Sequence, residues 1–177
     1  HAETHRPRAA HITGDGPPQT RASDIELSAN AAPQDLPRKL RRMIDAYHLA
    51  IERFTTMDAP IVAAIRGGAG GGGLGLLYVA DITLASDTAQ FALGYGRLGL
   101  TADGGNTWFL PRLVGLQRAR ELFLLNTRLS ATEAHGIGLV TRVIPDGKLD
   151  AEAQEVVERL ASGPTKAYGT MRRLLRR

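Results

Sequence analysis

Seven consecutive small residues, Gly67-Gly68-Ala69-Gly70-Gly71-Gly72-Gly73, are where this sequence most invites chemistry. An ordered glycine costs backbone entropy, so such a run needs a reason. One reason is close approach of a ligand to bare main chain. Another is an N–H donor aimed from a helix N-terminus, where free amides and the dipole favour negative charge. Three readings compete at this point. Gly68 to Gly73 satisfies G-x-G-x-x-G, with Asp87 about 20 residues on, as a dinucleotide fingerprint asks. Only about eight residues separate Gly73 from Ile82, however, too few for the crossover helix of a ~30-residue βαβ unit. A phosphate-binding P-loop is excluded, because no Lys-Ser or Lys-Thr follows. The plainest alternative is a tight turn packing a helix on a strand.

Other chemistries lack their residues. The chain of 177 residues has no cysteine, which removes disulfides, thiolate nucleophiles and Cys-ligated metals. His1, His5, His11, His48 and His135 show no metal-ligand spacing, so no metal is assigned. No G-x-S-x-G elbow marks a serine hydrolase. A net charge of +4 fits an anionic partner, but aromatics are only 5%, a poor platform for stacking bases, and nucleic acid is not expected. The clusters Arg38-Lys39 with Arg41-Arg42, and Arg172-Arg173 with Arg176-Arg177, read first as solvated faces and second as partners for phosphates. No run approaches the roughly 18 apolar residues of a membrane span, and no segment has signal-peptide order. A soluble, cytoplasmic, single-domain protein without a membrane partner is the expectation.

The elements that would position the glycine run follow from periodicity. Residues 1–35 read as irregular apart from a short strand over Arg8 to Thr13. Leu40, Met43, Ile44, Tyr47, Ile51 and Phe54 recur at helical spacing and predict a helix from Leu36 to Met57. Pro60 to Ile65 is an apolar run of buried-strand type. Leu74 to Ala80 predicts a short buried helix, and Ile82 to Ala85 and Phe91 to Leu93 two more strands. Helices are expected over Gly104 to Val114, Leu116 to Leu125, Ala131 to His135 (capped by Ser130 with Glu133 three residues on), Lys148 to Ala161 and Pro164 to Arg177. Leu139 to Ile144 reads as a strand. Strands alternating with helices argue for α/β.

Longer stretches resemble a known family. Ala59-Pro60-Ile61-Val62-Ala63-Ala64-Ile65-Arg66 with the glycine run, then Ala80-Asp81-Ile82-Thr83-Leu84-Ala85-Ser86, is similar to the central signature of the crotonase (enoyl-CoA hydratase/isomerase) family. The likeness continues through Leu98-Gly99-Leu100, Asp103-Gly104-Gly105, Leu110-Pro111-Arg112-Leu113-Val114-Gly115, Leu129-Ser130-Ala131 and Gly138-Leu139-Val140. It covers roughly residues 8 to 175 and decides against a dinucleotide site.

The resemblance implies a fold: α/β, a crotonase-like spiral of ββα units with a helical C-terminal trimerisation region, shortened at both ends. It divides the chain into a core over 1–130 and a helical region over 131–177, in a homotrimer or a dimer of trimers. It also implies an acyl-CoA thioester partner, with coenzyme A as part of the substrate and no separate cofactor. Two backbone N–H groups would hold the thioester oxygen, one from Gly72 and one from Ala22, with Ser23 as the alternative and Asp24 orienting that loop. Gly68, Ala69, Gly71, Tyr95 and Trp108 are the expected substrate-binding positions. The two glutamates of the family's hydratases fall at Gly75 and Tyr95 here, so both carboxylates are missing. Asp103 matches the aspartate of a subgroup similar to the phenylacetate-pathway isomerases and would be the base. Its competing role is a helix N-cap before Gly-Gly-Asn-Thr. Tyr95 reads as pocket lining rather than proton donor, and Trp108 with Phe109 as core or acyl-pocket wall. The implied function is an enoyl-CoA isomerase. A catalytically silent acyl-CoA or protein-binding subunit, and a hydratase using Asp103 alone, stay open.

Overall fold

A computed structural model describes residues 7–13, 19–21, 32 and 34–176. Two four-stranded sheets are wound from one spiral. The first has the order β1 (Ala10–Thr13), β3 (Ile61–Ile65), β5 (Ile82–Ser86), β8 (Arg142–Ile144), all parallel. The second has the order β2 (Gln19–Arg21), β4 (Gly68–Gly70), β6 (Gln90–Ala92), β7 (Leu129–Ser130), parallel except for the last pair. Each turn thus gives one strand to each sheet. Only Arg66 and Gly67 separate β3 from β4, so the chain changes sheets at a sharp corner.

β3 is buried at all five positions, which explains its unbroken apolar run. Fully burying a side chain such as Ile61, Val62 or Leu84 stabilises by about 1.5–3 kcal/mol. Helix α1 (Leu36–Thr56) follows the predicted stripe, with Ile51 buried and Leu40, Met43, Ile44, Tyr47 and Phe54 half-buried. The short α2 (Gly73–Tyr78) follows the glycine corner. α3 (Asn106–Val114) runs through Pro111 because the carbonyl left without a donor, that of Thr107, belongs to an exposed residue. α4 (Leu116–Leu125), α5 (Ala131–Gly136), α6 (Leu149–Ser162) and α7 (Thr165–Leu175) complete the chain. Ser130 and Glu133 form the expected capping box on α5. The main apolar cluster joins Ala63, Leu74, Phe91 and Leu110 to Ala131, Ala134 and Leu139, so packing runs across residue 130.

Three expectations change. Gly68–Gly70 is a strand and not a loop; its backbone is held by β2 on one side and β6 on the other. Arg172 departs from the solvated face expected of its cluster, while Arg173 stays about half exposed. Arg172 is 6% exposed, pairs with Asp81 at 2.7 Å, and donates to the carbonyls of Phe54, Met57 and Ala59, tying α7 to the end of α1. Trp108 is not core: it is 38% exposed, with the Arg112 guanidinium 3.9 Å from its ring centroid.

Candidate active site

At the glycine corner the first amides of the following helix, those of Gly72 and Gly73, have no acceptor among the described residues. Gly71, at φ +54°, turns the chain from β4 towards α2, and its own N–H is taken by the Ala92 carbonyl at 3.1 Å. Gly72 follows as the buried N-cap of α2. Among the described residues nothing accepts from the Gly72 N–H. A buried amide without an acceptor is costly, so a free one at a helix start is a natural anion or oxyanion donor. The Gly72 carbonyl, by contrast, accepts twice: from the Gly75 N–H at 2.9 Å and from the Tyr47 hydroxyl. Gly68 and Ala69 lie within β4, Ala69 buried, and lead the chain to this corner.

β2 runs parallel to β4 and places Arg21 opposite Gly70, two residues before Gly72. Ala22, Ser23 and Asp24, the expected source of the second amide, lie outside the described residues.

The second half of the site is the loop before α3. Gly104 and Gly105 take φ of +58° and +78°, a left-handed pair that swings the chain from Asp103 into the helix. The Asp103 side chain does not cap that helix. The N-cap is Gly105, no side-chain cap bond forms, and the Asn106 N–H bonds the Asp103 main-chain carbonyl at 3.0 Å. The carboxylate instead accepts from the Tyr95 hydroxyl at 2.6 Å. Asn106, fully buried, donates to that same hydroxyl at 3.1 Å and to the Asp103 carbonyl at 2.7 Å. The Gly104 N–H donates to His48 Nε2 at 3.2 Å, which requires a neutral imidazole with its proton on Nδ1. Tyr95 is therefore part of a polar cluster, where the sequence had suggested plain lining.

Asn106, His48 and Tyr47 escaped the sequence reading. Asn106 left one signal, its position three residues after Asp103 at a helix start. His48 gave none, being a lone histidine. Tyr47 was visible only as one apolar member of the α1 stripe.

Electrostatics keep the phenols neutral. Burial, and then the Asp103 charge, push the Tyr47 phenol up to about 12. Burial, then the bond to Asp103 and its charge, raise Tyr95. Burial raises Tyr78, whose hydroxyl has no partner among the described residues. Tyr78 also lines a small apolar recess with Leu74, Phe91, Leu93, Leu110 and Leu122.

A side chain at position 75 would force its surroundings to move. A Cβ there would overlap the Tyr47 hydroxyl and lie 2.6 Å from the Gly104 carbonyl. Among the described residues no group of three or more potential ligands could hold a metal ion, and no helix is long and apolar enough to cross a membrane.

Comparisons with known proteins agree with this geometry. The family model described as enoyl-CoA hydratase/isomerase matches residues 26–177. The chain is 31% identical over 161 residues to 4-chlorobenzoyl coenzyme A dehalogenase-1 of Arthrobacter sp, spanning 91% of this chain and 58% of that protein. It is 36% identical over 129 residues to 1,2-epoxyphenylacetyl-CoA isomerase of Escherichia coli K12, spanning 73% of this chain and 49% of that one. Among solved structures, an enoyl-CoA hydratase from Bacillus anthracis superposes with a TM-score of 0.86 at 30% identity, over 94% of this chain and 64% of that one. The chain thus spans about half to two thirds of the length of these relatives. With the spiral, the glycine corner and a match over residues 26–177, the chain belongs to the enoyl-CoA hydratase/isomerase family.

Proposed function

We propose that the protein isomerises an enoyl-CoA thioester through an enolate, with Asp103 as its only carboxylate base. The Gly72 N–H, with a second amide from the Ala22–Ser23 stretch, holds the thioester oxygen. Asp103 takes a proton from C2 of a 3-enoyl-CoA, and the electrons move onto that oxygen. The protonated Asp103 returns the proton at C4, so no water is consumed. One aimed backbone donor contributes about 3–4 kcal/mol to such a step, and one positioned base about 10²- to 10⁴-fold.

The observation that carries this reading is the Asp103 carboxylate itself. It is free of the helix start and held by Tyr95 at 2.6 Å, while position 75 carries no second carboxylate and is crowded by Tyr47 and the Gly104 carbonyl. Hydration needs a positioned water and a proton donor, the work of two carboxylates, and is correspondingly disfavoured. Assembly as a homotrimer or a dimer of trimers belongs to the same reading. The exposed Leu98, Leu100, Leu124 and Leu125 support it.

Asp103→Asn is the test. Isomerisation of a 3-enoyl-CoA should fall about 10²- to 10⁴-fold while acyl-CoA affinity changes little. Full activity in the variant overturns the mechanism. A parent protein inactive on every enoyl-CoA makes it a silent binding subunit. Chloride release from 4-chlorobenzoyl-CoA, with 3-enoyl-CoA untouched, moves it to the chemistry named for the Arthrobacter relative.

A further inference from the structure

We infer that His48 is a positioning residue for the Asp103 base: its Nε2 accepts from the Gly104 N–H and so fixes the Asp103–Gly104 peptide against α1. The inference rests on the function proposed above. A base works only when its carboxylate is already directed at the proton it takes, and a misplacement of about 1 Å can cost about 10²-fold. Asp103 has a poor local anchor. The two residues after it are glycines at φ +58° and +78°, the residue type whose backbone is least restrained. Two of the groups that hold it belong to its own stretch of chain. Tyr95 donates to the carboxylate at 2.6 Å, and Asn106 donates to the main-chain carbonyl through its N–H at 3.0 Å and its side chain at 2.7 Å. These bonds fold residues 95–106 onto themselves. They would survive if the whole stretch shifted relative to the glycine corner.

The bond from Gly104 is of another kind. Its N–H is the opposite edge of the peptide whose carbonyl is that of Asp103. Asn106 on α3 holds the carbonyl edge, and His48 on α1 holds the amide edge at 3.2 Å. Among the described residues this is the one hydrogen bond that joins residues 95–105 to an element other than α3. The ring of Tyr47, one residue earlier on α1, packs so closely on Gly104 that a Cβ there would lie 2.5 Å from it. Consecutive residues of α1 thus meet this peptide with a ring and an acceptor. A peptide held at both edges cannot rotate without losing both bonds, and its rotation is what would turn the Asp103 side chain. His48 is exposed, so its replacement leaves the core intact.

Two variants separate the acceptor from the bulk of the side chain. His48→Leu removes the acceptor. His48→Gln offers an amide oxygen at about the reach of Nε2. Leucine and glutamine both suit a helix. The first readout is the backbone amide signal of Gly104 in NMR spectra of the ligand-free protein. In His48→Leu its proton should move upfield and exchange faster with solvent, and in His48→Gln both should return towards the parent. The second readout is turnover of a 3-enoyl-CoA. His48→Leu should lower kcat about tenfold with KM within about threefold, and His48→Gln should recover most of the loss. A merely structural role would change thermal stability and leave the kcat of the folded protein alone. A Gly104 signal that stays in place in His48→Leu overturns the inference. So does an unchanged kcat in that variant, or a loss that His48→Gln does not mend; in each case the isomerase reading stands. If the parent turns over no 3-enoyl-CoA, the function proposed above fails and this inference with it.

Discussion

Position 75, which packs on Tyr47, and position 103, whose neighbour Gly104 packs on the same ring, are built in opposite ways. At 75 the chain has removed a side chain altogether, and a tyrosine from α1 has taken the space. At 103 it has kept a carboxylate and surrounded it: Tyr95 on the carboxylate, Asn106 beneath, and His48 on the neighbouring amide. The first arrangement leaves one flank of the glycine corner without a carboxylate. The second supplies one charge on the other. A site so divided suits a proton carried by a single group from one carbon to another better than it suits addition of water. The difference also shows that a missing catalytic residue need not leave a gap; neighbouring side chains can close it.

The most direct way to break this comparison is to restore the carboxylate. In Gly75→Glu the new Cβ meets the Tyr47 hydroxyl and comes within 2.6 Å of the Gly104 carbonyl. The hydroxyl can swing away, but the backbone carbonyl yields less easily. Overpacking of this kind costs about 1–3 kcal/mol, a fall of several degrees in Tm, and the added charge is desolvated besides. Calorimetry should show the lower Tm, and 2-enoyl-CoA should still take up no water. A variant with parental Tm that hydrates 2-enoyl-CoA would mean that position 75 is merely vacant.

A smaller effect sharpens the other flank. Asn106 is fully buried and donates to the Tyr95 hydroxyl at 3.1 Å and to the Asp103 carbonyl at 2.7 Å. Asn106→Ala takes a donor from the Tyr95 hydroxyl, while the Asp103 carbonyl keeps the main-chain N–H of residue 106, and opens a small hole, at a cost of about 1–3 kcal/mol. Tyr95 would lose its support and the carboxylate its fixed direction. Urea unfolding should report the loss of stability, and kcat should fall more than KM rises. Unchanged kcat in the folded variant would make the cluster around Asp103 structural only.

These two flanks also differ in how far they were legible. The regular elements were readable because their signals are local: the α1 stripe, the unbroken apolar β3, and the Ser130–Glu133 box each lie within one segment. Glycines have little strand propensity, so Gly68–Gly70 predicts a loop by local rules; pairing with β2 and β6 alone makes it a strand. Asp103 emerged only through family resemblance; by local rules it was a helix cap. Tyr95 looked like a wall because its partners stand 8 and 11 residues away, joined by a turn through two left-handed glycines. Tyr47 and His48 reach the site from 25 and 56 residues away. A polar contact across such distances leaves no periodicity, so the polar half of the site had to come from the fold.

The smallest effect tests whether the two flanks share one electrostatic field. Three of the four tyrosines, Tyr47, Tyr78 and Tyr95, have phenols pushed up, in each case first by burial. The native state therefore holds these protons more tightly than the unfolded chain, where tyrosine ionises near ~10. The stability associated with them is complete below that value and is lost as pH climbs through the native value, about 12 for Tyr47. A difference titration of the phenolate band between the parent and Tyr47→Phe isolates this one ring. Its midpoint should lie above the ordinary tyrosine value. Asp103→Asn should draw it down without abolishing the elevation, because the Asp103 charge is the second cause and burial the first. A midpoint indifferent to Asp103 would mean that the phenol beside Gly72 and the carboxylate do not sense each other, and that the two halves of the site are neighbours in space only.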